Sequence, residues 1–207
     1  MNMKKYAAII LGLFISAGCF SQNRIVPLIN LSGNWKFSIG INEEWVSPKF
    51  DDSDWESIKV PSPWEDQGFY GYNGYGYYRK NVVIPSANKG RMLYAVLGYI
   101  DDVDEVYFNG KKIGSTGSFP PNYETAYNAE RIYYIPEEMI RFDGSNLITV
   151  KVYDTQQAGG IVGGKVGIYG GQVAVNFNIN LQNSWKFKTG DDLKRKDPGF
   201  DDSDWKN

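Results

Sequence analysis

The chain of 207 residues contains no histidine and only one cysteine, Cys19. A Ser-His-Asp or Cys-His nucleophile system and an imidazole-ligated zinc ion all require histidine, so the sequence excludes them within this chain. A single cysteine also leaves the fold without an internal disulfide. Basic residues are not in excess, because 22 Lys and Arg against 24 Asp and Glu give a net charge of −2. Nucleic-acid binding depends on basic groups that meet phosphates, so we expect no nucleic-acid partner.

Long apolar runs are scarce, and the clearest one stands at the start of the chain. Lys4 and Lys5 precede an apolar stretch over residues 6–15, and small residues follow up to Ser21. This order predicts an export signal peptide over residues 1–21. The stretch is too short to cross a bilayer, which takes about 20 apolar residues. We therefore expect an exported protein, either periplasmic or extracellular.

Two cleavage sites compete at the end of this signal. Cleavage after Ser21 leaves Gln22 as the first residue, and we favour this alternative. Cleavage before Cys19 would leave that cysteine lipidated, because Ser16-Ala17-Gly18-Cys19 resembles a bacterial lipobox. The protein would then be a lipoprotein anchored through Cys19, and we expect a membrane partner only in that case.

Sustained helical periodicity is missing after the signal. Trp35, Phe37 and Ile39 alternate onto one face of a predicted strand, and residues 146–153 are the most β-prone run. Asn109-Gly110 predicts a two-residue hairpin turn, since both positions need positive φ. Short strands between clusters of Gly, Pro, Asn and Asp indicate an all-β fold, a jelly-roll β-sandwich.

A repeat organises the chain at the scale of a domain. Residues 29–56 return without a gap at residues 179–206, and half of the 28 aligned positions are identical. The period of 150 residues is too long for a solenoid, whose units run to roughly 20–50 residues. We predict a complete sandwich over residues 24–176 and the N-terminal part of a second, similar sandwich over residues 177–207. A segment that short cannot bury its own core, so we expect a fragment of a longer tandem protein.

The order of several motifs over residues 31–155 resembles a known family. The pattern comprises Trp55, Val60-Pro61, Trp64-Glu65, Tyr78-Arg79, the stretch Gly98-Tyr99-Ile100-Asp101-Asp102-Val103-Asp104, the hairpin around Asn109-Gly110, and Ile135-Pro136. It is similar to the N-terminal sugar-binding jelly roll, a galactose-binding-like domain, of family 2 glycoside hydrolases. That family includes β-galactosidases and β-glucuronidases. The resemblance implies a β-sandwich that works beside a separate catalytic domain.

A second family shares part of the pattern. The Ile100-Asp101-Asp102-Val103-Asp104 stretch, with Gly159-Gly160-Ile161 later, is similar to the accessory domain of bacterial sialate O-acetylesterases. In both families another domain performs the reaction, so the resemblance implies no catalytic residue here. Some β-galactosidases place an acidic metal ligand just beyond the hairpin, where residues 115–118 are neutral in this chain. That site is not carried over.

The densest candidate site is an aromatic segment rich in glycine. Glycines from Gly68 to Gly76 predict a surface loop there, because glycine at that density does not suit a regular strand. Its candidate glycan-binding or interdomain residues are Trp64, Glu65, Tyr70, Tyr72 and Asn73. Exposed rings stack on sugars, and the polar side chains could bond hydroxyls.

Two other interpretations of this aromatic segment stay open. The rings could pack on a following domain, since Tyr and Trp are enriched at interfaces, and this is the interpretation that we favour. The third interpretation is plain core packing, which we expect above all for Tyr77 and Tyr78.

Three carboxylates within four residues form the second candidate site. Asp101, Asp102 and Asp104 are weak candidates for calcium ligands. Acid–base catalysis is disfavoured, because adjacent residues on an extended chain point to opposite faces. We favour a structural turn in which one Asp pairs with Arg79 or Arg131, and we keep Asp102 as a candidate contact. No cofactor is therefore expected, with a structural calcium ion as the alternative.

A third candidate is the glycine-rich segment over residues 159–164. No Lys-Ser/Thr pair follows these glycines, so the segment is not a phosphate loop. We predict a flexible loop that permits close approach to a ligand or another domain, with Gly160 as its candidate residue.

These observations predict an exported, non-catalytic accessory sandwich of a glycan-degrading enzyme, whose parent protein hydrolyses O-glycosyl bonds. Its expected partners are a glycan, a downstream catalytic domain of the same polypeptide, or both. One alternative is the accessory domain of an esterase similar to the sialate O-acetylesterases. Another is a stand-alone glycan-binding protein with two sandwiches.

Overall fold

The computed structural model describes residues 25–171, 185–190, 192–197 and 199–206. The chain divides into two compact units, Met1–Ala174 and Val175–Asn207. The predicted signal peptide, Cys19 and the domain boundaries at residues 24 and 176 lie outside the described residues and stay predictions. Within the described ranges, no helix has the length and apolar character needed to cross a membrane.

The first unit is built from β-strands joined by turns and short 3₁₀ helices. In chain order the strands are β1 Ile25–Asn30, β2 Gly33–Ile39, β3 Glu56–Val60, β4 Gly74–Val83, β5 Leu93–Asp101, β6 Val103–Phe108, β7 Lys111–Thr116, β8 Glu130–Ile135, β9 Ser145–Asp154 and β10 Gly160–Gly171. The 3₁₀ helices are Glu43–Val46, Glu65–Gln67, Ser86–Asn88 and Glu137–Met139, with Leu193–Lys196 in the second unit. No α-helix occurs in the described part of the chain, so the all-β prediction is confirmed.

The strands form two antiparallel sheets that pack as a sandwich. The four-stranded sheet has the order β1-β10-β5-β8, and the six-stranded sheet has the order β3-β2-β4-β9-β6-β7. Consecutive strands repeatedly change sheet: β5 lies in the first and β6 in the second, while β9 lies in the second and β10 in the first. The predicted β-sandwich is therefore confirmed.

Aromatic and aliphatic side chains from both sheets fill the space between them. Trp35 and Phe37 are 1% and 0% exposed, as their alternation predicts, and the Trp35 indole Nε1 donates to the Leu31 carbonyl at 2.8 Å. Ile39 does not share their burial and is 41% exposed. Ile39 is exposed because β2 ends there and Gly40, at φ 105°, turns the chain away.

Strand register gathers several connections at one end of the sandwich. The first residue of β4, Gly74, pairs with the last of β9, Asp154. The first residue of β10, Gly160, pairs with the last of β5, Asp101. Residue 102 between β5 and β6 and residues 155–159 between β9 and β10 are therefore neighbours. We call this region the crossover end.

Both predicted glycine-rich loops are wrong in part. Strand β4 begins at Gly74, so Gly76 lies inside a strand and is buried. Strand β10 begins at Gly160, so all of the predicted flexible segment except Gly159 lies in a strand, where Gly160, Ile161 and Gly163 pair with β5. A Cβ at Gly76 would stand 2.6 Å from Trp64 and 2.8 Å from Phe37, closer than side chains pack. Glycine is thus required here by ring packing and not by flexibility.

The described part of the second unit repeats the local structure of the first. Phe200 and Trp205 have ring centroids 5.9 Å apart at 55°, the same values as Phe50 and Trp55. Both copies therefore turn the same corner, as the sequence repeat predicts. That residues 177–207 begin a second whole sandwich remains a prediction.

Burial differs sharply between the two copies. Trp185 and Phe187 are 62% and 67% exposed, whereas their counterparts Trp35 and Phe37 are core residues. The second copy therefore keeps the corner without the enclosed core that the first copy has.

Candidate functional site at the crossover end

Trp64 lies in the segment that passes from β3 to β4 alongside β10. Its backbone N–H donates to the Gly159 carbonyl at 3.1 Å, and its indole Nε1 donates to the Tyr72 carbonyl at 3.2 Å. The side chain is fully buried. The prediction that this ring stacks on a sugar is wrong, because the absent side chains of Gly76 and Gly159 open a slot in which the indole is enclosed.

Tyr72 covers the buried tryptophan. Its ring centroid lies 5.8 Å from that of Trp64 in an edge-on arrangement, and its hydroxyl donates to the Tyr75 carbonyl at 2.9 Å. Burial raises the pKa of the Tyr72 hydroxyl. Packing and a hydrogen bond therefore fix the Tyr72 side chain, so it cannot reorient toward a ligand.

Tyr70 and Asn73 are the predicted site residues that remain on the surface. Tyr70 is 84% exposed, and Asn73 is exposed on the same connection just before β4. They expose one aromatic ring and one amide to a glycan or another domain. Their contact with a glycan or another domain stays a prediction.

Glu65 fastens the β3–β4 connection to the β9–β10 connection. Its Oε2 accepts the Gly159 backbone N–H at 3.0 Å. Its Oε1 is buried and receives no hydrogen bond within the part of the chain that the structure describes. The carboxylate therefore has one structural bond and one unused acceptor.

Gly160 contacts the side chain of Tyr78 in its own domain and is not open to solvent. The residue is buried at φ 101°, and a Cβ there would overlap the Tyr78 hydroxyl. That hydroxyl accepts the Ile161 N–H at 3.4 Å, and Tyr77 and Tyr78 are both 0% exposed, so their predicted core position is confirmed. The prediction of a flexible loop around Gly160 is wrong, because Tyr78 fills the space that the glycine leaves.

Asp104 is separated from the other two aspartates of its motif. Its Oδ1 accepts Arg131 Nε at 2.8 Å and its Oδ2 accepts the Tyr133 hydroxyl at 2.6 Å, with the carboxylate and the guanidinium fully enclosed. Of the two predicted partners Arg131 is therefore the one used, while Arg79 pairs with Asp52 at 2.7 Å. Asp104 is wrong as a calcium-ligand candidate, because its oxygens serve a buried ion pair.

Asp102 ties three connections together. Its Oδ1 accepts the Thr125 hydroxyl at 2.6 Å, and its Oδ2 accepts the Thr155 hydroxyl at 3.0 Å and the Thr155 N–H at 3.2 Å. Burial opposes its ionisation, yet hydrogen bonds from Thr125 and other neighbours lower the pKa of Asp102 to about 2. Asp102 is therefore a carboxylate that holds the β7–β8 and β9–β10 connections against the β5–β6 crossover.

Asp154 joins Asp101 and Asp102 in a cluster that the local sequence does not reveal. One carboxylate oxygen from each lies within 4.8 Å of the others. Asp101 and Asp102 therefore meet on one side, contrary to the expectation for adjacent residues, and a cis peptide bond joins them. The signal for Asp154 in the sequence is its place at the end of a strand, because it lies 52 positions after Asp102 and 53 after Asp101.

The environment of this cluster disfavours full ionisation. Burial, followed by the neighbouring carboxylates, raises the pKa of Asp101 to about 7. Burial is also the main cause that raises the pKa of Asp154 to about 7, and the charge of Asp102 adds to it. The cluster therefore concentrates more negative charge than it can hold near neutral pH without a proton or a cation.

The spacing invites a comparison with glycosidase acid–base pairs, whose carboxyl groups stand about 5–5.5 Å apart in retaining enzymes. Asp154 is 0% exposed and Asp102 is 6% exposed, so a sugar ring cannot pass between them. Burial thus suits Asp102 and Asp154 to structural or cation-binding work.

Comparisons with known proteins were made by family, sequence and structure. No family model matches the chain. A β-galactosidase of Bacteroides ovatus is 22% identical over 186 residues, which are 83% of this chain and 19% of that enzyme. A putative β-glucuronidase of Formosa agariphila is 29% identical over 97 residues, 41% of this chain and 9% of that protein. The chain thus spans about a fifth or less of these curated relatives.

Solved structures show the same sandwich. A β-glucuronidase of glycoside hydrolase family 2 matches with a TM-score of 0.55 at 19% identity, covering 64% of this chain and 16% of that one. A calcium-binding mutant of Bacteroides uniformis β-glucuronidase 2 matches with a TM-score of 0.57 at 23% identity, covering 72% and 18%. The relatives are family 2 β-glucuronidases and β-galactosidases, and the similarity covers part of each, as an N-terminal domain would.

Proposed function

We propose that this chain is the exported, non-catalytic sandwich region of a glycan-degrading enzyme that resembles family 2 glycoside hydrolases. One observation carries the proposal: 83% of the chain aligns with only 19% of a β-galactosidase, which leaves most of that enzyme without a counterpart. The sandwich would serve a catalytic domain of the same polypeptide, or bind its glycan.

The side chains of the sandwich support a role without catalysis. Histidine is absent from the sequence, and two of the three carboxylates that lie together at the crossover end, Asp102 and Asp154, are buried. Glycoside hydrolysis requires two carboxyl groups on either side of an accessible glycosidic bond. Asp102 and Asp154, which are buried, do not meet this requirement.

Packing against another domain is favoured over direct glycan binding. Trp64 and Tyr72 are engaged inside the sandwich, which leaves Tyr70 as the fully presented ring of the aromatic segment. One ring with a neighbouring amide is a small platform for a sugar. A tyrosine at the centre of a protein interface can by contrast contribute 2 kcal/mol or more, by order of magnitude.

A titration with matched variants separates these roles. Tyr70→Ala is compared with Val83→Ala. Val83 is 54% exposed and lies at the end of β4, the strand that follows Tyr70. We expect no glycan binding by calorimetry and a weak self-association in sedimentation that Tyr70→Ala alone reduces. Glycan binding near millimolar, about −4 kcal/mol, that Tyr70→Ala abolishes would instead assign the sugar role.

Export is tested by processing of the chain in a bacterial host. We expect the mature protein outside the cytoplasm with Gln22 at its N-terminus. A lipidated Cys19 would show membrane anchorage, which Cys19→Ala would abolish. An uncleaved chain that stays in the cytoplasm would contradict the proposed export.

A structural calcium ion belongs to the same proposal. The Bacteroides uniformis neighbour is described as a calcium-binding mutant, and the acidic cluster supplies the ligand type that calcium prefers.

A further inference from the structure

Asp154 carries a buried carboxylate whose hydrogen bonding is incomplete. The residue is 0% exposed, and its Oδ1 accepts the Gln156 N–H at 3.2 Å. Its Oδ2 is enclosed and receives no hydrogen bond from any residue that the structure describes. A buried carboxylate oxygen without a partner is costly, so such an atom normally has a donor, a proton or a metal ion.

The unpartnered carboxylate lies among other negative groups. Oxygens of Asp101, Asp102 and Asp154 stand within 4.8 Å of one another. Glu65 lies close enough to add its charge to Asp154, and its own buried Oε1 also lacks a donor among the described residues. The cluster thus has one unused acceptor oxygen on Asp154 at the end of β9, and a second lies on Glu65 of the β3–β4 connection.

Arg131 lies close enough for its charge to act on Asp101, but it is already paired with Asp104. Arg131 donates to both the carboxylate of Asp104 and the carbonyl of Asp102, and its charge is balanced by the enclosed Asp104. The three carboxylates of the cluster therefore receive no ion pair from a basic side chain within the residues that the structure describes. Buried charges of one sign are stable only when a counter-charge is present.

We propose that Asp101, Asp102 and Asp154 bind one calcium ion at the crossover end, where it joins the β5–β6 and β9–β10 crossovers. Calcium–oxygen distances of about 2.3–2.6 Å let ligand oxygens stand up to about 5 Å apart across the ion, which matches the cluster. Magnesium–oxygen distances of about 2.0–2.1 Å require a tighter set, so calcium is favoured. The inference rests on the calcium ion of the proposed function and names its ligands, but it does not depend on whether the chain binds a glycan.

The ion would act on the connections that surround Tyr70. Asp102 already holds the β7–β8 connection through Thr125 and the β9–β10 connection through Thr155. Glu65 holds the β3–β4 connection to Gly159. An ion among these aspartates links all of them and fixes the base from which Tyr70 is presented.

The test uses the full chain, freed of metal by EDTA and titrated with calcium chloride alone. We expect one calcium ion per chain by calorimetry and a rise in Tm of about 5–10 °C at a calcium concentration about 100 times Kd. Magnesium chloride at the same concentration should raise Tm by less than half as much. Absence of a calcium-dependent change in the wild type would overturn the proposal.

Two variants keep the test sharp. Asp154→Asn should lose the calcium response while its Tm in EDTA equals or exceeds that of the wild type, because a repelling buried charge is gone. Asp54→Asn removes an exposed carboxylate outside the cluster and should keep the full response. A calcium response in Asp154→Asn equal to that of the wild type would show that the carboxylate is not a ligand. The same conclusion would follow if the variant's Tm lay below that of the wild type by the same amount in calcium and in EDTA. If Asp154→Asn does not fold, the same measurements are made on Asp101→Asn, which changes the half-buried residue of the cluster, and the same results are expected.

Discussion

At the scale of residues, the sandwich depends on a few enclosed polar and aromatic groups. Arg131 is 0% exposed, and its guanidinium is neutralised by Asp104 and bonded to the carbonyls of Asp102, Ala126 and Ala129. It links β6, β8 and the connection between β7 and β8. The motif that resembles a calcium loop in the sequence is therefore split between an ion pair and a cluster of carboxylates.

Breaking the enclosed ion pair should be costly. Asp104→Asn leaves the Arg131 charge unpaired in the interior, so we expect the free energy of unfolding to fall by about 3–5 kcal/mol. The control is Lys112→Ala, which breaks the 2.6 Å pair with Glu105 where the Lys112 side chain is 45% exposed, and should cost no more than about 1 kcal/mol. Urea unfolding measures both, and equal costs for the two variants would contradict the stated role of Arg131.

The glycines around Trp64 provide a second test at this scale. A Cβ at Gly159 would overlap the enclosed indole, so Gly159→Ala should cost about 1–3 kcal/mol through overpacking. Gly163→Ala is the matched control, because a Cβ there meets nothing within 4 Å, and its effect should stay within about 0.5 kcal/mol. Thermal unfolding followed by circular dichroism measures the difference. A Gly159→Ala variant as stable as Gly163→Ala would mean that the indole is not confined.

At the scale of elements, local signals in the sequence predict some strands well. Strand β3 ends at Val60, directly before Pro61, and Asn109 and Gly110 adopt φ values of 51° and 82° at the predicted hairpin. These features depend on neighbours along the chain. Alternation and turn chemistry are visible in such short windows.

Elements fixed by distant partners could not be predicted in the same way. Strand β8 follows a long connection and is paired to β5, and the glycine-rich start of β10 is a strand because β5 pairs with it. Asp154 meets Asp101 only because β9 and β5 end at the same end of the sandwich. Pairing between strands far apart in sequence leaves no periodic pattern in the amino-acid sequence. The sequence therefore predicts Asp101 and Asp102 as candidate residues but not Asp154.

The crossover end should loosen as a set of connections when Asp102 is changed. Asp102→Asn weakens acceptance from Thr125 and Thr155, so hydrogen exchange in residues 117–129 and 155–159 should quicken in EDTA. Exchange in β9 should not change, because its partners β4 and β6 are untouched. Asp66→Asn, an exposed neighbour on the β3–β4 connection, is the control. Quickening confined to residue 102 itself would contradict the linking role.

At the scale of the whole molecule, the two units differ in how much apolar surface they enclose. The first has a continuous core between its sheets, while Trp185 and Phe187 of the second are largely exposed. Burial of apolar surface is the main source of stability, at roughly 25 cal/mol per Å². The first unit therefore has what independent folding requires.

Hydrogen exchange under native conditions should separate the units. We expect amides of residues 146–153 to exchange only through global unfolding, and those of residues 185–205 to exchange by opening at far lower free energy. Protection over residues 185–205 equal to that of β9 would show that both units unfold together. It would also contradict the view that residues 24–176 form the stable sandwich by themselves.

The central claim, that this sandwich supports a glycan-degrading enzyme without performing the reaction, is tested most directly by hydrolysis. The purified chain is assayed with aryl β-glucuronides, aryl β-galactosides and aryl acetates, in calcium and in EDTA. The account predicts no turnover above the buffer rate, because the chain lacks histidine and Asp102 and Asp154 of its carboxylate cluster are buried. Turnover that persists through purification, and disappears in a folded Asp101→Asn or Asp102→Asn variant, would contradict it.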